Sequence, residues 1–121
     1  MRKPATTFIL TLMSALALAA AQTEITFWHS MGTAKEAVEE LADRFNTSQS
    51  DWRVDAQHVG SYSEAQTRLA AAFGTPSAPV IFQAEVGYWP KLVQDGALHD
   101  LSSEVAELDP EFTGDFYPGL W

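Results

Sequence analysis

The regular alternation of strand-like and helix-like segments constrains the fold of this chain most. Three short runs rich in β-branched and aromatic residues predict strands, at Glu24–Trp28, Trp52–Val59 and Val80–Gln83. Stretches with apolar residues at helical spacing separate these runs. Because successive strand–helix–strand units cross over in a right-handed sense, this order predicts a parallel sheet. The fold class is therefore α/β, with a parallel three-strand βαβαβ core.

Two capping-box patterns predict where the longer helices begin. Thr33 with Glu36 fits the start of the first helix, whose apolar stripe ends near Asn46. Ser63 with Gln66 fits the start of the second. The remaining predictions are a short helix over 88–94, an extended segment over 97–101, and short helices and turns from 102 onward.

The N-terminus has the layout of a secretory signal peptide. Arg2 and Lys3 precede an apolar run, Phe8–Ala20, and small residues follow it up to Ala21. A helix needs roughly 20 apolar residues to span a bilayer, and this run is shorter. A membrane anchor or a buried helix is the alternative. We predict a cleavable signal peptide over 1–21, a domain over 22–121, and a periplasmic or secreted product.

Charge and composition exclude several classes of function. The chain carries 16 acidic and 7 basic residues, a net charge of −9, and loss of the signal peptide makes it more negative. Such a charge disfavours nucleic acid and anionic membrane surfaces. The chain has no cysteine, so it forms no disulfide or thiolate metal site. His29, His58 and His99 lack the spacing of metal ligands, so we predict no metal and no cofactor.

The loops that follow the three strands are the predicted ligand site. In an open parallel sheet, ligands bind at the carboxyl ends of the strands. Tyr62, in the second loop, offers a hydroxyl and a flat ring; packing on the adjacent helix is the alternative. Glu85, after the third strand, can accept hydrogen bonds from a polyol; capping of the next helix is the alternative.

The end of the first strand supplies three further candidates. For Trp28 and His29, a core tryptophan beside a hydrogen-bonded histidine is the favoured interpretation, and ligand contact is the alternative. Ser30 could donate a hydrogen bond to a ligand oxygen or cap a turn. We include all three as candidate ligand-binding residues.

The same segments resemble the family 1 extracellular solute-binding proteins of ABC importers. The resemblance rests on ITFWHSMG at 25–32, GSYSEAQ at 60–66 and LAAAFGTPSAPVIFQAEVG at 69–87, and continues to the DFYPGLW tail. The combination of FWHS, a tyrosine in the second loop and a glutamate after the third strand is similar to the glycerol-phosphate subgroup. By that motif, Tyr62 and Glu85 are the positions that contact ligand.

This resemblance implies a periplasmic-binding-protein-like (type II) fold of two lobes that close on a ligand in the cleft between them. The implied ligand is sn-glycerol-3-phosphate or its diesters, which the protein delivers to ABC permease subunits in the membrane. Since a carboxylate repels phosphate, we expect Glu85 at the glycerol end of the ligand.

The chain departs from the family because it stops at Trp121, without the second lobe. Residues 22–121 are therefore expected to be the N-terminal part of lobe 1, from a fragment or a truncated gene. A three-strand parallel sheet would leave an edge unpaired, so we expect a marginally stable product that binds ligand weakly or not at all alone.

Other functions remain as alternatives. An oligosaccharide-binding protein of an ABC importer shares the fold and the opening motif, and a non-functional truncated remnant is also possible. An enzyme is disfavoured, and we predict no catalytic residue. A glycoside hydrolase of the retaining kind needs two carboxyl groups about 5 Å apart, and only Glu85 is predicted at the site. The chain has neither GxSxG nor a Walker pattern.

Overall fold

The computed structural model describes residues 22–108, together with Gly114 and Phe116. Within them, strands β1 (Thr23–His29), β2 (Trp52–His58) and β3 (Ile81–Phe82) form one sheet in the order β2-β1-β3. Both pairings are parallel. The predicted α/β class and parallel three-strand core are confirmed.

The two strand pairings differ greatly in length. β1 and β2 stay in register over seven residues, from the pair Thr23 and Trp52 to the pair His29 and His58. β1 and β3 share only two pairs, and the third strand is shorter than predicted. Backbone hydrogen bonds nevertheless continue beside β3, from Val80 N to the Thr26 oxygen (3.0 Å) and from Gln83 N to the Trp28 oxygen (2.9 Å).

The first helix begins differently from the prediction. A 3₁₀ turn, Gly32–Ala34, precedes helix α1, Lys35–Ser48. Thr33 therefore lies in the turn, and Ala34, which has no side-chain hydrogen-bonding group, is the N-cap residue. The predicted capping box of Thr33 and Glu36 is wrong. The helix also continues past Asn46 to Ser48, and the hydroxyls of Thr47 and Ser48 bond back to helix carbonyls.

The second helix has a capping box, but two residues earlier than predicted. Helix α2 runs over Tyr62–Ala72, and its N-cap is Ser61. The Glu64 N–H donates to the Ser61 hydroxyl (3.4 Å), and the Ser61 N–H donates to the Glu64 carboxylate (2.8 Å). The reciprocal pair with glutamate is present instead of the predicted Ser63 and Gln66 pair. Tyr62 is consequently the first residue of a helix and not a loop residue.

The core lies between the sheet and α2. Trp28, Val59, Ala65 and Ala72 form a buried cluster, against which Ala78 and Phe82 pack. Side chains alternate along a strand, so Phe27 and His29 point to the opposite face of the sheet from Trp28. The crossover from β1 to β2 and the crossover from β2 past β1 to β3 run in opposite directions across the sheet. Two right-handed crossovers of that kind place α1 and α2 on opposite faces.

Two short helices complete the described part of the chain. They are α3 (Trp89–Gln94) and α4 (Ser102–Ala106), and the predicted extended segment over 97–101 forms no strand. The predictions for 1–21 and for most of the tail beyond 108 fall outside the described residues. Among the described helices, none has the length and apolar character needed to cross a bilayer.

Candidate functional site

Gln83 joins the predicted ligand-binding edge into one hydrogen-bonded group. Gln83 is the residue directly after β3. Its side chain bonds to the loop after β1 and to the start of α2, at the carboxyl end of the sheet. The Gln83 Oε1 accepts a hydrogen bond from the Ser30 backbone N–H (2.9 Å). The Gln83 Nε2 donates to the Tyr62 hydroxyl (3.2 Å). The loop after β1, the first residue of α2 and the end of β3 therefore meet at one rim of the molecule.

Glu85 lies at the same rim. Gln66, one turn along α2 from Tyr62, donates from its Nε2 to the Glu85 Oε2 at 3.5 Å. The expected juxtaposition of Tyr62 and Glu85 is therefore present. The alternative role of Glu85 is not observed, since α3 begins at Trp89 and its N-cap residue is Tyr88, with no side-chain cap hydrogen bond. Both side chains are exposed, so a ligand can reach them from solvent.

Trp28 belongs to the core and not to the rim surface. It is 4% exposed and packs on the α2 side of the sheet. The Arg68 guanidinium lies over its ring, with Cζ 4.2 Å from the ring centroid, a cation–π arrangement. The indole Nε1 is buried and has no hydrogen-bond partner among the described residues. This environment is that of a core tryptophan, which is the favoured interpretation from the sequence. Ligand contact by Trp28 stays a prediction.

His29 is buried on the other face of the sheet. Its Nδ1 accepts a hydrogen bond from the Met31 N–H (3.3 Å), and its ring lies 5.6 Å from that of His58. Burial lowers the pKa of His29 below the usual 6.5, and the neighbouring His58 lowers it further. The histidine is thus hydrogen-bonded and neutral at pH 7, as the core interpretation requires. Ligand contact by His29 also stays a prediction.

Ser30 contributes through its backbone. Its N–H donates to Gln83, while its Oγ is buried without a partner within the described part of the chain. The hydroxyl therefore neither caps a turn nor meets solvent in this conformation. Ligand contact by Ser30 stays a prediction that requires the loop to open.

Sequence reasoning missed both glutamines of the rim. The sequence pattern predicts Gln83 as the last residue of a buried strand and Gln66 as part of a capping box. The available signal was the polar residue that ends the apolar run Val80–Phe82. A strand that ends in an amide at the ligand-binding edge is a candidate for a site.

The rim combines a carboxylate, a phenol and two amides. Together these groups offer both donors and acceptors for a small polar ligand. Among the described residues, no group of three His, Asp or Glu side chains could hold a metal ion.

Several known proteins are similar to part of this chain. No family model matches the chain. A relative from Yersinia pestis bv. Antiqua (strain Antiqua) is 45% identical over 71 residues, which is 57% of this chain and 16% of the relative. A relative from Brucella abortus (strain 2308) is 37% identical over 98 residues, 77% of this chain and 23% of the relative. One from Brucella suis biovar 1 (strain 1330) is 37% identical over 80 residues, 64% of this chain.

Each of these relatives is named sn-glycerol-3-phosphate-binding periplasmic protein UgpB. The alignments confirm the resemblance to the glycerol-phosphate subgroup of solute-binding proteins. The chain spans less than a quarter of the length of these relatives, 16% to 23%. The relatives are binding proteins by name, in keeping with a role other than catalysis.

Proposed function

We propose that this chain forms one wall of the ligand cleft in an extracytoplasmic solute-binding component of an ABC importer, with sn-glycerol-3-phosphate or its diesters as ligand. The observation that carries the proposal is the convergence of Tyr62, Gln83 and Glu85 on one rim. The names of the relatives support the choice of ligand. The predicted signal peptide over 1–21 supports a location in the periplasm or outside the cell, where the protein would meet the membrane permease.

The rim suits the two ends of the proposed ligand differently. The Glu85 carboxylate accepts hydrogen bonds from the glycerol hydroxyls and repels a phosphate, so it favours the glycerol end. Tyr62 can donate to an oxygen of the ligand. The opposing wall, with the groups that neutralise the phosphate, would come from a second lobe.

A segment exchange tests this proposal. Residues 22–108 replace the aligned segment of the Brucella abortus relative, and calorimetry measures binding of sn-glycerol-3-phosphate and of maltotriose. We expect binding of the first ligand only, and about tenfold weaker binding after Glu85→Gln or Tyr62→Phe, since the first replaces a charged acceptor by a neutral one and the second removes a hydrogen bond to the ligand. A chimera that melts cooperatively but binds maltotriose instead would favour the oligosaccharide alternative. Glu104→Gln, on α4, is the matched control.

A further inference from the structure

The orientation of the Gln83 amide is fixed by its partner Ser30, in the loop after β1. A backbone N–H can only donate, so the atom that faces Ser30 N at 2.9 Å must be the carbonyl oxygen Oε1. The amide nitrogen is then the atom that faces Tyr62. Amide orientation is often ambiguous because oxygen and nitrogen look alike, but this contact removes the ambiguity.

The direction of the second hydrogen bond follows from the first. The Gln83 Nε2 carries only donors, so at 3.2 Å from the Tyr62 hydroxyl it must donate, and the phenol oxygen must accept. The phenol proton is not used by this bond. Within residues 22–108, Tyr62 has no acceptor for that proton. The hydroxyl is therefore held with its proton directed away from Gln83.

We propose that Gln83 is a positioning residue that makes Tyr62 a hydrogen-bond donor toward the cleft, so that the rim selects a ligand with an acceptor oxygen at that point. This proposal rests on the proposed function and refines it. Phosphate and phosphodiester oxygens are acceptors, so they satisfy the free phenol proton. An ammonium group, which only donates, does not.

An isosteric substitution of Gln83 reverses the direction of its hydrogen bond with Tyr62. In Gln83→Glu, the carboxylate still accepts from the Ser30 N–H, but it must also accept the Tyr62 proton. The phenol then presents only lone pairs to the cleft, although every heavy atom stays in place. Gln83→Leu removes the contact and leaves the phenol free to rotate. Gln94→Glu, on α3, adds the same charge and serves as the control.

The first measurement tests the orientation without any ligand. In the isotope-labelled full chain, nuclear magnetic resonance should detect a coupling through the hydrogen bond between Ser30 nitrogen and the Gln83 side-chain carbonyl carbon. The coupling should persist in Tyr62→Phe and vanish in Gln83→Leu. If the wild-type chain lacks this coupling, the inference is overturned, whatever the chain binds.

The second measurement adds sn-glycerol-3-phosphate as the probe to the chimera that carries residues 22–108, and it follows the Tyr62 ring signals. We expect Gln83→Glu to weaken binding at least about tenfold and Gln83→Leu by roughly threefold, since a bond to a charged oxygen is the stronger kind. In a Tyr62→Phe background, the two variants should bind alike. Wild-type affinity in Gln83→Glu would overturn the inference. An intact coupling with no response of the chimera without further substitution to the probe contradicts the proposed function instead, while the amide orientation stands.

Discussion

The two edges of the sheet are completed in different ways. On the β2 edge, the side-chain amide of Asn46 bonds to both backbone groups of Val54, with Nδ2 to oxygen at 2.9 Å and N to Oδ1 at 2.7 Å. Gln49 does the same for Trp52, at 2.6 and 2.8 Å. Two amides from the end of α1 thus take the place of a neighbouring strand.

The β3 edge has no such cover. Within residues 22–108, no side chain hydrogen-bonds to the backbone of Ile81 or Phe82. Val80 is 70% exposed and Ile81 is 47% exposed. An apolar groove of about 710 Å³ runs beside them and is lined by residues of α2, β3 and the 97–101 segment. An edge of this kind is open to pairing with another strand.

This difference shows which contacts hold each side of the sheet. The β2 side is held by a seven-residue register and by polar groups that lie close in sequence. The β3 side has two register pairs and depends on the packing of Phe82 against the Trp28 cluster. Loss of packing in the Trp28 cluster should therefore weaken the attachment of β3 to the sheet. Loss of the Asn46 side-chain amide should instead weaken the hydrogen bonding of β2.

Trp28→Ala should produce the largest effect. Truncating a buried tryptophan costs about 3–5 kcal/mol in free energy of unfolding, and the cavity lies under Phe82. Amide hydrogen exchange should show faster exchange at Val80 and Gln83 than the wild-type chain shows. Trp52→Ala is the matched control, because Trp52 is 47% exposed at the other edge.

Urea denaturation should place the cost of Trp52→Ala at about 1 kcal/mol or less. The comparison between the edges breaks down if the two tryptophan variants lose equal stability. It also breaks down if Trp28→Ala leaves the exchange at Val80 and Gln83 unchanged.

Asn46→Ala should produce the next largest effect, on the opposite side. It leaves the Val54 N–H and carbonyl without their partners, at a cost of about 1–2 kcal/mol. Exchange of the Val54 amide should accelerate, while Val80 keeps its protection. Thr47→Ala is the control, because the Thr47 hydroxyl bonds only to carbonyls of its own helix. Equal exchange at Val54 in both variants would contradict a role for Asn46 as an edge cover.

The sequence predicted the elements better than their junctions. Alternating patterns were enough for the parallel sheet, because parallel strands need helical crossovers and few other topologies fit. The start of α2 was misplaced because Ser61 and Ser63 both precede an acidic or amide residue at the right spacing. The first pattern is the one in which Ser61 and Glu64 bond reciprocally.

The sequence predicts where the candidate site lies, but it does not predict the hydrogen bonds that join its residues. Strand ends pointed to Tyr62 and Glu85, since those ends share one edge in a parallel sheet. The link through Gln83 depends on a side-chain contact between residues 53 positions apart, Ser30 and Gln83, and no local pattern encodes it. The burial of the Ser30 hydroxyl likewise depends on tertiary packing.

Ser61→Ala should have a smaller effect, near the rim. Loss of an N-cap serine costs about 1 kcal/mol. The pKa of Glu64 is lowered because the Ser61 N–H and hydroxyl donate to its carboxylate, so this stabilisation is present above the ordinary pKa and is lost as pH falls through the lowered one. Thr33→Ala, at the position predicted wrongly as a cap, should change the urea midpoint less. A larger loss for Thr33→Ala would contradict the observed helix starts.

The smallest expected effect is that of His29 on the pH dependence of the free energy of unfolding. His29 lies at the end of β1, where it pairs with His58 of β2. Burial and His58 lower its pKa below 6.5, Lys35 acts in the same direction, and Glu39 opposes them. The unfolded chain therefore binds a proton before the folded one does, so the free energy of unfolding should fall as pH drops from about 6.5 toward the lowered pKa. In His29→Asn, an oxygen can still accept from the Met31 N–H while the titrating group is gone. Urea denaturation between pH 7 and 5 should show a shallower slope for this variant than for the wild-type chain, and parallel slopes would mean that folding leaves the pKa of His29 unchanged.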